Sequence, residues 1–171
     1  FNKNMSRRIK KVAVLGSGVM GSGIACHFAN IGLEVLMLDI VPFDLTEEEK
    51  AQPAARNRIV EGALKAALKA KPAALYDKAF ASRITTGNFD DDLEGAVRGS
   101  QWVIEAVPED RGKKRAMYQR VVPHFRDDAI LSTNTSGILM SELMDGFPIG
   151  VQKRFLGTHF FNKQPLLEII P

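Results

Sequence analysis

The sequence predicts an α/β fold with a doubly wound, mostly parallel sheet and helices on both of its faces. Three observations carry this. Short apolar, β-branched runs alternate with helix-forming segments along most of the chain, the pattern of βαβ units rather than of a bundle or a sandwich. The first strand, helix and strand close within about 30 residues, and such a crossover is right-handed with parallel strands. The composition, with 45% hydrophobic and 25% charged residues in 171, is that of an ordinary globular domain. It excludes disorder, collagen and coiled coil and suits one domain.

The elements follow in order. Residues 1–9 are charged and polar, lack the apolar core of a secretory signal, and are expected to be a flexible leader before a domain at 10–171. Residues 11–15 are apolar, β-branched and end in glycine, so a buried strand is expected. Residues 19–31 then predict a helix that is apolar nearly all round, closed by Gly32. A second strand at 34–38 ends on Asp39. The stretch 45–52 is acidic and polar, and Pro53 breaks it. Residues 54–71, rich in Ala, Lys and Arg, predict an amphipathic helix laid on the surface and ended by Pro72. Further on, residues 83–88 and 102–107 predict strands, 111–125 a helix, 129–133 a strand and 137–144 a short helix. Two closing strands are expected at 154–161 and 166–170.

Composition also bounds function. The lone Cys26 excludes a disulfide framework and a multi-cysteine metal site, and no metal is expected. No apolar run approaches the roughly 18 residues of a membrane span. The charge balance, 23 − 20 = +3, is small. Lys65, Lys69 and Lys71 read as a solvated face, because no aromatic residues interleave to stack on bases. No nucleic-acid partner is expected, and the lack of a targeting segment points to the bacterial cytoplasm.

Chemistry gathers at three places. Gly16, Ser17, Gly18, Val19, Met20 and Gly21 form a G-x-G-x-x-G between a strand and a helix. In that setting the first glycine permits the turn, the second lets backbone approach a pyrophosphate, and the third lets helix and strand pack. The helix N-terminus favours the phosphate charge. Asp39, at the end of the second strand, can take both ribose hydroxyls and repel a 2′-phosphate, so NAD rather than NADP is expected. The bland reading is a structural glycine turn with an incidental acid. His159 has a candidate partner in Glu168: a hairpin turning at Lys163 and Gln164 pairs the two directly. A carboxylate there would fix the tautomer and make the imidazole a general base, whereas a satisfied core histidine is the alternative. His27 and His124 lie on predicted helices without such a carboxylate and read as structural. The run Ser132, Thr133, Asn134, Thr135 and Ser136 ends a strand, at the sheet edge where ligands sit. It can equally cap the next helix.

With these residues assembled, the chain resembles the NAD-binding domain of the L-3-hydroxyacyl-CoA dehydrogenases of fatty-acid β-oxidation, over residues 10–171. The likeness rests on the glycine motif and its flanks at 14–25, on Val103, Ile104, Glu105, Ala106 and Val107, on Asn134, Thr135 and Ser136, and on the stretches 157–162 and 166–171. Residues 38–42 and 71–73 are similar to large bacterial proteins that fuse this dehydrogenase to an enoyl-CoA hydratase. The resemblance implies a Rossmann-type domain using NAD, with an acyl-CoA as substrate. It places Gly16, Gly18, Val19, Met20, Gly21, Asp39, Ala106, Val107 and Asn134 at the cofactor, with Glu109 and Lys114 nearby. His159 is implied as the base, Glu168 as its partner, and Ser136 and Asn162 as groups that hydrogen-bond the reacting oxygens. Without it, Glu109 and Lys114 read as an exposed pair at a helix start. Two departures stand out: Lys163 follows Asn162 where the family carries proline, and the loop before Glu168 is shorter. The family also continues into a helical domain that forms the dimer and closes the cleft; it is not among these residues, so binding of cofactor with slow turnover, or none, is expected. A dehydrogenase of small free hydroxy acids and a non-catalytic nucleotide-binding module are the other readings.

Overall fold

The computed structural model describes residues 8–160 and the backbone of a strand at 167–170. The predicted leader, apart from residues 8 and 9, and Asn162 lie outside them. Strand β1 (Lys11–Leu15) is buried along nearly its whole length and runs through α1 (Val19–Asn30) into β2 (Glu34–Asp39). β1 and β2 pair in parallel from Lys11 opposite Glu34 to Leu15 opposite Leu38.

A helical excursion follows. The acidic stretch forms α2 (Glu47–Lys50), nucleated by a capping box in which Thr46 and Glu49 bond each other's backbone amides. The single helix predicted over 54–71 is instead two, α3 (Pro53–Arg56) and α4 (Arg58–Lys69). The break falls at Asn57, whose side chain accepts from Asn88 at 2.8 Å, while Arg56 pairs with Asp91 at 2.7 Å. Tertiary bonds to the turn after the next strand thus override local helix propensity. α4 buries Val60, with Leu64 and Ala67, against α1 and keeps its lysines outward.

A 3-10 segment leads into β3 (Ile84–Asn88), and α5 (Leu93–Gly99), which the sequence reading did not anticipate, returns to β4 (Trp102–Glu105). Two glycines disguise α5, yet Leu93, Ala96 and Val97 give it a buried stripe at helical spacing. α6 (Arg111–Val121), extended by a 3-10 turn to His124, leads to β5 (Ile130–Thr133). Two short helices follow, α7 (Met140–Met144) and the unanticipated α8 (Ile149–Gln152), and then β6 (Phe155–Phe160) and β7 (Leu167–Ile170).

The sheet order is β3-β2-β1-β4-β5-β6-β7, parallel except for β7, which runs antiparallel to β6. Strand alternation divides the core between the two faces. Val12, Val14, Val35, Met37 and Ile104 pack under α1 and α4. Ala13, Leu15, Leu38, Val103 and Leu131 pack under α5 and α6. Helix α1 therefore leaves β1 on one face and α6 leaves β4 on the other. β1 and β4 are neighbours, so their outgoing loops diverge and open a crevice at the carboxyl edge of the sheet.

Candidate active site

The crevice has a volume of about 980 Å³ and reaches from Asp39 and Phe43 at one end to Asn134, Ser136 and His159 at the other. Its floor is the glycine turn. Gly16 adopts φ +106°, and a Cβ there would stand 2.6 Å from the carbonyl oxygen of Ala106, so the two diverging loops touch through it. A Cβ on Gly21 would lie 1.8 Å from the Gly16 carbonyl oxygen, which fixes how closely α1 can pack on the turn. Gly18 differs: a Cβ there meets nothing within 4 Å. The fold places no steric demand for glycine at Gly18, and the position stands open on the crevice wall. This fits a pyrophosphate approaching backbone at the start of α1.

Asp39 is held before any ligand arrives. Its Oδ2 accepts from the Ser17 backbone N–H at 2.6 Å and from the Ser17 hydroxyl at 2.5 Å, and its Oδ1 from the Ile40 N–H at 2.7 Å. The carboxylate thus stands on the crevice wall at the end of β2, bonded to the middle of the glycine turn.

Under the other end lies a buried charge cluster centred on Glu105, a residue to which the sequence reading assigned no role. Glu105, fully buried, accepts from the Lys114 ammonium at 2.7 Å and the Val107 N–H at 2.8 Å on one oxygen. On the other it accepts from the Tyr118 hydroxyl at 2.8 Å and the Thr133 hydroxyl at 2.6 Å. Burial, reinforced by the Glu105 charge, pushes the Tyr118 phenol well above its ordinary range. Lys114, only 1% exposed, also donates to the Val107 carbonyl at 3.2 Å and lies 3.4 Å from Glu109. It is no exposed partner on a helix start; it reaches the crevice through Glu109. The available signal was a lone acid inside an apolar strand run, since a buried charge must be paired.

Glu109 in turn gathers the next loop. One of its oxygens accepts the Thr135 hydroxyl, the Ser136 N–H at 3.2 Å and the Gly137 N–H at 3.0 Å. Partial burial works to raise this carboxyl, but those hydrogen bonds and the Lys114 charge outweigh it and hold the group below the usual carboxylate range. The polar run 132–136 therefore divides its labour. Ser132 accepts from the Trp102 indole at 2.9 Å inside the core, Thr133 serves Glu105, and Thr135 serves Glu109. Asn134 and Ser136 are left to line the crevice. The helix expected from Gly137 begins only at Met140, so the run caps none directly.

Asn134 also ties β5 to β6: its Oδ1 accepts the Phe160 N–H at 3.1 Å, immediately after His159. His159 is half-buried and lines the crevice beside Asn134 and Ser136. The ladder pairs it directly with Glu168, the register that a turn at Lys163 and Gln164 demands, although the turn itself lies outside the described residues. The other histidines stay out of the crevice. His27 faces a second cavity, of about 670 Å³, between α1 and α4; its buried Nδ1 has no hydrogen-bond partner among the described residues, and burial lowers its pKa. His124 does have an acid nearby, Glu94 at 3.7 Å, where α5 meets the turn after α6. Among the described residues no helix is long and apolar enough to cross a membrane, and no cluster of potential ligands could hold a metal ion.

Comparison with known proteins adds a family to this geometry. Residues 11–171 match the model of the 3-hydroxyacyl-CoA dehydrogenase NAD-binding domain. A probable 3-hydroxyacyl-CoA dehydrogenase of Bacillus subtilis is 47% identical over 98% of the chain, and a putative fatty acid oxidation complex trifunctional enzyme of Rickettsia felis is 37% identical over 97%. The chain spans 22% of the length of each. Among solved structures, the 3-hydroxybutyryl-CoA dehydrogenase of Escherichia coli superposes with a TM-score of 0.67 at 28% identity, covering 96% of this chain and 33% of that one.

Proposed function

The chain belongs to the 3-hydroxyacyl-CoA dehydrogenase family as its NAD-binding domain, and from that premise we propose that it serves the NAD-dependent oxidation of a (S)-3-hydroxyacyl-CoA to the 3-oxoacyl-CoA in fatty-acid β-oxidation. The observation that carries this is one crevice joining the open glycine turn at Gly18 and the preset Asp39 to His159, Asn134 and Ser136. In this reading Gly16, Gly18 and Gly21 shape the turn at the pyrophosphate, and Val19 and Met20 begin the helix above it. Asp39 takes the adenosine ribose hydroxyls; Ala106, Val107, Glu109 and Asn134 border the nicotinamide half, with Lys114 supporting Glu109 from beneath.

When bound, NAD supplies the hydride acceptor. The chain's own residues do the rest. His159 accepts the proton of the C3 hydroxyl at its imidazole, and Glu168, its partner across the ladder, steadies the imidazolium. Ser136 and Asn162 hydrogen-bond the substrate oxygens and hold C3 facing the crevice. In the reverse direction the protonated His159 returns its proton to the C3 oxygen. Relatives of which this chain covers 22% of the length support a place within a larger polypeptide, and in this reading its remaining parts complete the acyl-CoA site and form the dimer.

The test is an assay of the full-length protein with acetoacetyl-CoA and NADH. Oxidation of NADH, much faster than of NADPH, is expected. Binding of NADH without turnover of any 3-oxoacyl-CoA would leave a nucleotide-binding module only, and turnover confined to free hydroxy or oxo acids would move the substrate class.

A further inference from the structure

Glu105 and Lys114 form an ion pair at 0% and 1% side-chain exposure. Burying such a pair gives little stability over well-packed apolar residues of the same volume, so stability alone does not account for it. Its connections point elsewhere. Glu105 engages β5 through Thr133, α6 through Tyr118, and the loop after β4 through the Val107 N–H. Lys114 passes this hold to Glu109, which carries the amides of Ser136 and Gly137. Counted as charges, the cluster is two carboxylates against one ammonium, a net of −1 beneath the crevice end where the reading above places the nicotinamide. That ring is cationic in NAD⁺ and neutral in NADH.

We propose that Glu105 is a positioning residue that, acting through Lys114, holds Glu109 and the loop after β5 in place and leaves the buried cluster beneath the nicotinamide end with one net negative charge, favouring the oxidised cofactor. The proposal rests on the cofactor reading and extends it. Lys113 and Arg120 also stand on the crevice wall, but they are the same in wild type and variant, so one neutralising substitution isolates the buried charge.

The experiment is titration of full-length wild type and Glu105→Gln with NAD⁺, NADH and ADP-ribose. Removing one charge near the ring is expected to weaken NAD⁺ about fivefold more than NADH, with ADP-ribose unchanged. Equal losses for all three ligands, or no change in the NAD⁺ to NADH ratio, overturn the proposal. Failure of the wild type to bind any of the three overturns the cofactor reading instead. A second variant, Tyr118→Phe, frees one Glu105 oxygen without changing charge. It is expected to lower kcat with acetoacetyl-CoA at constant KM for NADH, and to have no further effect in a Glu109→Gln background. An additive loss there, or an unchanged kcat in the single variant, overturns the route through Glu109.

Discussion

Asp39 stands on the crevice wall with its position already set by three hydrogen bonds from Ser17 and Ile40. A preset acceptor loses little freedom when a ribose binds, so most of its interaction energy is available for affinity. A hydrogen bond to a charged group contributes about 1.5–3 kcal/mol, so losing even one of the two ribose bonds in Asp39→Ala should raise the Kd for NADH by at least about 10-fold and narrow the preference over NADPH. Fluorescence titration with both nucleotides measures this, and unchanged affinity would remove Asp39 from the ribose. His159→Gln should separate chemistry from binding. Loss of a positioned general base lowers turnover by about 10²- to 10⁴-fold, while NADH affinity should hold, because none of the cofactor contacts proposed above is made by His159. Full turnover in that variant would sink the assignment of the base. The place of both residues on the crevice wall was legible in the sequence, one from motif spacing and one from hairpin register. Glu105 was not, since an acid within the apolar run from Trp102 to Val107 declares its partners only once α6 and β5 are folded around it.

At the scale of the first βαβ unit, the glycines make separable demands. A Cβ at Gly21 would stand 1.8 Å from the Gly16 carbonyl oxygen, whereas one at Gly18 would face open space. Gly21→Ala must therefore push α1 off the turn, an overpacking cost of about 1–3 kcal/mol, whereas Gly18→Ala leaves the fold untouched. Thermal unfolding should show a lowered Tm for the first and an unchanged one for the second. NADH titration should show weakened binding for both. A Gly18→Ala variant that binds NADH normally would mean that the pyrophosphate does not approach there. This unit was readable because strand, turn and helix signals are all local. The helices after β2 were readable only in outline: Pro53 and the capping box are local, but the break at Asn57 is made by Asn88, far along the chain. α5 and α8 escaped notice because a helix of one or two turns owes its existence to packing rather than propensity.

Across the whole molecule, two buried or partly buried groups contribute at opposite ends of the pH range in which the sheet and its crevice hold together. Glu109 has its pKa lowered on folding, so its contribution is present above the ordinary carboxylate pKa and is lost as pH falls through the folded value. Its loss releases the loop carrying Ser136, so acid should loosen the crevice. Tyr118 has its pKa raised by burial and by the Glu105 charge. Its contribution is whole below the ordinary tyrosine pKa of about 10 and is lost as pH rises through the folded value. An alkaline unfolding limb is therefore expected, and Tyr118→Phe tests its origin. That variant forfeits one hydrogen bond to a buried carboxylate, so it should be less stable at neutral pH by about 1.5–3 kcal/mol. It has no phenol to ionise, so its stability should decline less steeply above about pH 10. Denaturant titration at neutral and alkaline pH separates the two effects. If both proteins lose stability with the same alkaline slope, Tyr118 stays neutral for another reason and the buried Glu105 cluster does not contribute at that end.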